Sequence, residues 1–388
     1  MKMKMKKKFN LINALHIIQL YPLKIKLILI NLTLITFISC FDKKENEKPF
    51  KTADTYNWTA AISSPKFYPI GNVTVDFGYA SANILTSFDS GWGDTAGNFI
   101  SGEKYKPAPK KVYIKYTCGA NNFVYEGTLK LPKEKILAIF QEQSNKKSYL
   151  KSTPISHNTS NYFELIVGMA PGGWIRIWVR GNGNFNQVEI LKAKLNGYED
   201  VSSDEKFKIR NLKNWGKYFT YWQYHGIPYD AWEKNENEYK ILYSYNCKND
   251  NLRAFSFQSI SRDGTFYPGD YLLDNKSLSK KVEKQKIPVQ MTYSWFDSTK
   301  KISYDTFVIF PKNFAKIYTT PYFDKISQTY KTYDQILLET EPEGNYAKIY
   351  LIGKNRKELF LRFKAFISKS TIIGSGNYSK EVQYYTNL

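Results

Sequence analysis

In one half of the chain stand VYIKYTC (112–118), FVYEGTLKLP (123–132) and KEKILAIFQEQ (133–143). In the other, in the same order, stand VQMTYSW (289–295), ISYDTFVIFP (302–311) and KNFAKIYTTPYF (312–323). The series continues: YFELIVGMAPGG (162–173), WIRIWVRGNG (174–183) and QVEILKAKL (187–195) are answered by YDQILLETEPEG (333–344), NYAKIYLIGK (345–354) and KELFLRFKAF (357–366). Aligned this way, Tyr116 faces Tyr293, Tyr125 faces Tyr304, Pro132 faces Pro311, Gly173 faces Gly344 and Trp178 faces Tyr350. An ordered series of this kind predicts two tandem copies of one unit, the first over 57–200 and the second over 208–388. Lys208–Pro228, rich in Trp and Tyr, is read as the beginning of the second.

Each copy has a mechanical reading. VYIKY and VQMTY alternate with period two and are rich in β-branched and aromatic residues, the pattern of a half-buried strand. Polar turns at 119–122 and 297–301 connect each to a second strand, making a hairpin. Pro132 and Pro311 stand where a helix begins, since the missing N–H of proline is unpaired there in any case. Ile136, Leu137 and Phe140 share one face of the first helix, as Phe314, Ile317 and Tyr318 do of the second. A second hairpin turns at Ala170-Pro171-Gly172-Gly173 and at Glu341-Pro342-Glu343-Gly344, where Pro sets φ and a following Gly admits positive φ. The expected fold is α+β: two similar tandem domains, each a mainly antiparallel β-sheet with one or two short helices.

The first forty residues carry an address. MKMKMKKKF opens the chain, Lys24 and Lys26 follow, and an apolar run (27–39) then stops at Cys40. A basic stretch followed by about a dozen apolar residues fits a secretory signal and is short for a membrane span. Ser39-Cys40 at its end resembles a bacterial lipobox, in which cleavage leaves the Cys as residue one bearing acyl chains; the alternative is an uncleaved anchor helix. Several chains on one residue hold stably, where one binds only marginally. The expectation is a signal peptide over 1–39, lipidation at Cys40 and a flexible tether over 40–56, whose acids and lysines resemble the surface-export tethers of Bacteroidota lipoproteins. Phe41, in place of Asp, argues against retention in the inner membrane, so an outer-membrane lipoprotein of a Gram-negative envelope is expected, facing the periplasm or the surface.

At 388 residues and 42% apolar composition the chain has ample material for a packed core, which excludes a disordered or fibrous protein. There are 56 Lys and Arg against 35 Asp and Glu, a net charge of +21. Residues 1–39 hold seven lysines and no acid, so the remainder carries +14. An exported chain excludes nucleic acid as a partner, and the aromatics show no RNA-binding signature. The basic balance fits anionic lipid head groups or an acidic protein at a membrane surface, or simply the lysine-rich composition of an AT-rich genome.

WTAAISSPKFYPIGNVTVDFG (58–78), GWGDTAGNFISGEKYKPAPKKVYIKY (91–116), Y-x-GTLKLP (125–132) and GMAPGGWIRIWVRG (168–181) together resemble a bacterial lipoprotein family catalogued as domain of unknown function 2931. The resemblance covers the first half; the second keeps the framework but lacks GWG and has EPEG for APGG. The family has no assigned activity. The resemblance implies envelope localisation, and proximity of such genes to secreted antibacterial lipases implies an immunity-type role: binding and blocking a toxin.

No credible catalytic set, cofactor site or metal site is expected. His157 and His225 are read as loop residues, and no G-x-S-x-G elbow accompanies Ser156 and His157. Asp230 with Glu233, and Asp76 with Asp94, are read as surface acids. Cys118 and Cys247 either pair as a disulfide or remain separate buried thiols. Gly91 and Gly93 bracket Trp92, which serves as a partner hot spot or as a plug for the core. Trp174, Arg176 and Trp178 share one strand face, opposite Ile175, Ile177 and Val179, and Tyr346, Lys348 and Tyr350 repeat the aromatic–cation–aromatic order. That face is either lidded by its own domain or presented to a partner. The function expected is non-enzymatic protein binding by a lipid-anchored envelope protein; the alternative is carbohydrate or cell-wall binding.

Overall fold

A computed structural model describes residues 54–96, 99–100, 102–145, 162–181, 187–200, 215–268, 283–367 and 383–384. Cys40, the leader, most of the tether and His157 lie outside them. The first half runs β1 (Thr55–Ser63), β2 (Ile70–Asp76), β3 (Ser81–Ile84), β4 (Phe99–Ile100), β5 (Tyr105–Pro107), β6 (Lys111–Cys118), β7 (Phe123–Lys130), α1 (Lys133–Asn145), β8 (Tyr162–Met169), β9 (Trp174–Gly181), β10 (Val188–Lys194) and β11 (Gly197–Glu199). Two short helices follow, α2 (Lys217–His225) and α3 (Tyr229–Glu233). The second half runs β12 (Glu238–Cys247), β13 (Leu252–Ser261), β14 (Phe266–Pro268), β15 (Glu283–Lys286), β16 (Pro288–Asp297), β17 (Ile302–Ile309), α4 (Phe314–Thr319), β18 (Tyr322–Asp324), β19 (Thr329–Lys331), β20 (Tyr333–Thr340), β21 (Tyr346–Gly353), β22 (Arg356–Lys364), β23 (Phe366–Ile367) and β24 (Gln383–Tyr384).

The fold is β-rich, 56% strand with four short helices among the described residues. Each half holds two sheets where one was expected. In the first half these run β10-β9-β8-β1-β5 and β11-β7-β6-β2-β3-β4. β1 and β8 pair in parallel, setting Trp58 against Phe163, Ala60 against Leu165 and Ile62 against Val167. β9 continues that face with Val179, Ile177 and Ile175. The other sheet answers with Val112, Ile114 and Tyr116 of β6, so the period-two alternation buries one face of each sheet in a shared core. α1 joins it through Phe140, whose ring lies 4.5 Å from Phe163 and 5.1 Å from Tyr56. Burying each such side chain contributes about 1.5–3 kcal/mol, far more than strand propensity supplies.

The pairings of the first half recur in the second. Its sheets run β15-β12-β20-β21-β22 and β14-β13-β16-β17-β23, with β24 also beside β17. β12 pairs in parallel with β20 and antiparallel with β15, as β1 does with β8 and β5. The hairpin turns carry Asn122 and Lys301 at positive φ, and the second turns carry Gly173 and Gly344 at φ 80° and 84°. Pro132 offers its carbonyl to the first turn of α1, and Pro311 does the same at the approach to α4. One pairing read from sequence shifts. Tyr116 lies across from Tyr125 and Trp295 from Tyr304, so the counterpart of Tyr116 is Trp295 rather than Tyr293. Both rings donate into the turn beside them: Tyr116 Oη to the Ala170 carbonyl and Trp295 Nε1 to the Gly344 carbonyl, each at 2.8 Å.

After α4 ends at Thr319, residues 322–331 form a two-stranded hairpin. One further reading changes. The Trp- and Tyr-rich segment read as opening the second copy packs on the first: Tyr221, Trp222 and Trp232 belong to its core. Trp222 Nε1 donates to the Phe67 carbonyl at 2.6 Å, and the Tyr221 ring stacks on Phe67 at 4.3 Å. The halves meet at the turn after β13. There the Gly264 carbonyl accepts the backbone N–H of Lys66 and of Trp92, and the Asp263 carbonyl accepts Trp232 Nε1. Gly264 sits at φ 79°, and a Cβ there would lie 2.5 Å from Pro65, so only glycine fits. Among the described residues no helix is long and apolar enough to cross a membrane.

Candidate functional site

The two aromatic–cation–aromatic strands meet different fates. In the first half, Arg176 is only 2% exposed. Its Nη1 donates to both Glu189 oxygens at 2.9 and 2.7 Å, and its Nη2 donates to the Trp232 carbonyl of α3 at 2.7 Å. Trp178 is buried, edge-on to Trp92 with ring centroids 5.3 Å apart. Gly168 permits this approach, since a Cβ there would meet the Trp178 ring at 2.5 Å. Arg180 reaches Glu164 and the Thr95 hydroxyl. Thus the Trp92 loop and α3 close over this face. Trp174 alone stays half-buried, with Lys194 Nζ 5.0 Å from its ring centroid. Trp92, Arg176 and Trp178 are therefore not a presented hot spot: the cation spends its donors within the chain, and the indoles pack on each other.

In the second half the same face is partly exposed. Tyr346, Lys348 and Tyr350 alternate with the buried Ala347, Ile349 and Leu351 and remain half-exposed. β22 adds what sequence reasoning missed. The Arg362 guanidinium lies 4.1 Å from the Tyr346 ring centroid, and Lys357 Nζ lies 4.1 Å from that of Tyr350. Arg362 also grips Glu341 with two bonds of 2.7 and 2.8 Å, while Lys348 reaches the same carboxylate at 3.2 Å. These contacts, Arg362 foremost, hold the Glu341 carboxyl down to about 2. Glu339 receives Lys248 at 3.2 Å, Lys357 at 3.3 Å and the Asn246 amide at 3.1 Å. Two carboxylates thus serve four cations, and the face is net positive around two tyrosine rings. The alternating charges of RKELFLRFK (356–364) were the available signal, but only strand register brings them beside β21.

The remaining candidates are scattered. Cys118 and Cys247 are both free: Cys118 lies in the first core, and Cys247 ends β12 beside the second, its thiol donating to Tyr245 Oη. Burial raises the Cys247 thiol. Asp230 is held by a two-pronged Arg262 contact, and the Glu233 carbonyl accepts Lys192 Nζ. Asp76 accepts the Gly78 N–H within its own turn, and burial raises Asp94. Burial, with Lys312 nearby, brings the His225 ring down to about 4. A buried polar cluster that no motif announced lies beside the Gly264 turn: Asp263 pairs with Lys286, accepts Ser261 Oγ, and donates its N–H to Glu236. Burial and then the Asp263 charge push the Glu236 carboxyl up to about 7. Among the described residues no three His, Cys, Asp or Glu side chains gather as metal ligands.

Residues 42–230 match the family described as protein of unknown function (DUF2931). This segment of the chain belongs to that family. The DUF2931 segment takes in both sheets of the first half and α2, so it includes the Tyr221 and Trp222 that complete the first core. No curated protein and no solved structure shows significant similarity to the chain.

Proposed function

We propose that the chain is a lipid-anchored, non-enzymatic binding protein of the cell envelope, built from two copies of one unit, whose partner is another protein. The observation that carries this reading is the contrast between equivalent sheet faces. In the first half the aromatic–cation–aromatic strand is closed over; in the second it is partly exposed, cationic and aromatic, the composition enriched in protein-binding hot spots. Its excess of positive charge suits an acidic partner surface and speeds encounter. The recurring strand order supports the two-copy reading, with the second copy beginning near 234 instead of 208. The family resemblance suggests a secreted lipase-like toxin as the partner, for which this chain would act as the immunity lipoprotein. Lipidation at Cys40 and the tether that follows would place it on the outer membrane.

Two experiments test the reading. Titrating a secreted lipase-type toxin should give saturable binding that Tyr350→Ala weakens by about 2 kcal/mol or more while unfolding stays unchanged. Lack of binding, or equal binding by the variant, contradicts it. Cys40→Ser should leave a precursor that incorporates no labelled palmitate; equal labelling removes the anchor.

A further inference from the structure

We infer that the cleft between the two halves binds a neutral oligosaccharide. The cleft has a volume of about 700 Å³ and is walled by both halves, with the 235–238 strap along one side. That lies inside the range of about 300–1,000 Å³ typical of small-molecule sites. Its lining carries Trp92 and Trp178 from the first half and Phe266 and Tyr267 from the second. Here the GWG motif finds its use. A Cβ on Gly91 would meet Phe266 at 2.8 Å, and one on Gly93 would meet the Gln187 amide at 2.9 Å. The two glycines let both walls close on the loop, which sets the edge of the Trp92 indole into the cleft.

The polar part of the lining includes four carboxamides beside five charged residues and three Ser or Thr residues. Gln187, Asn235, Asn237 and Gln285 all border the cleft, and among the described residues none of these amide groups has a hydrogen-bond partner. Each offers donors and an acceptor together, the combination that matches adjacent hydroxyls, which also donate and accept. The charges of the cleft are mostly spent inside the protein. Glu189 is held by Arg176, Lys286 by Asp263, and Glu236 accepts the Asp263 N–H. Glu238 and Lys284 remain, one of each sign. Nothing there demands an ionic ligand. The half-buried Phe266 and Tyr267 rings, with the edge of the Trp92 indole, shield the apolar side of a pyranose, and the amides beside them take its hydroxyls, a set that selects an uncharged sugar over a phosphate or a peptide carboxylate. The inference stands apart from the protein-binding reading, which rests on the outer face of β21.

The test uses the full chain in detergent, titrated with chitotetraose, cellotetraose and mannotetraose by calorimetry and tryptophan fluorescence. At least one should bind saturably. The double variant Asn237→Ala/Gln285→Ala, which removes two amides without protein partners, should weaken that binding by about tenfold with unchanged thermal unfolding. Tyr350→Ala should bind the sugar as the wild type does, which separates this result from failure of the outer-face site. Two outcomes overturn the inference: no saturation by any of the three sugars, or equal binding by the amide variant.

Discussion

Arg176→Ala and Lys348→Ala change equivalent positions of the two halves, and their costs should differ severalfold. Arg176 places three N–H bonds, two on Glu189 and one on the Trp232 carbonyl, from a side chain 2% exposed. Breaking a buried ion pair by removing one partner costs about 3–5 kcal/mol. Glu189 keeps about a third of its side chain in water and can rehydrate, which favours the lower end. The orphaned Trp232 carbonyl adds about 1–2 kcal/mol, and relief of the unpaired Arg176 Nε returns about 1. The expected loss is therefore about 3 kcal/mol. Lys348 is half-exposed and shares Glu341 with Arg362, which stays in place, so its removal should cost no more than about 0.5 kcal/mol. Urea unfolding at equal slope reads both. An Arg176→Ala loss below about 1 kcal/mol, or an equal loss from Lys348→Ala, would refute the assignment of one face to the core and the other to the surface.

Other outcomes follow from the junction and the thiols. The Glu236 carboxyl sits at about 7 in the fold against 4.5 ordinarily, so its contribution is fully present below about 4.5 and lost as pH rises through 7. Glu236→Gln should accordingly gain on the wild type in thermal melts at pH 8 and match it at pH 4; the reverse order would place the carboxyl outside the buried cluster. Gly264→Ala combines a left-handed backbone with a clash against Pro65 and should cost about 3 kcal/mol, whereas Gly78→Ala, at φ 83° with open space, should cost about 1. Equal urea midpoints for the two would contradict the tight seating of the Gly264 turn. Cys118 and Cys247 should both be alkylated after denaturation without reductant, and a melting temperature that falls on adding reductant would reveal a disulfide.

The hairpins and their turns were legible because their signals are local. β6 alternates with period two, Pro132 marks the start of α1, and Gly173 marks a turn that needs positive φ. The pairing of β1 with β8 was hidden, since about a hundred residues separate them and both strands are near-continuously buried, with Thr59 and Ser63 of β1 among the buried residues and no clean alternation to give a face away. The placement of α2 was hidden for a related reason. An aromatic-rich helix shows that it will be buried, but only the tertiary fold decides that Phe67 and Tyr68, rather than the strands that follow, receive it. At the candidate site the alternation along β21 identified Tyr346, Lys348 and Tyr350 as one face. Its cationic partners come from β22 through register, which no single strand encodes. The sequence of β9 has the same alternation, and what distinguishes it is a loop and a helix from elsewhere in the chain closing over it.

The most direct test of the central claim is photo-crosslinking with p-benzoylphenylalanine placed at position 350, and at exposed position 198 as a control, in cells that also produce a secreted lipase-type toxin. The account predicts an adduct with that lipase from position 350, lost when Arg362 is changed to Glu, and none from position 198. An adduct from 198 with none from 350 would contradict it.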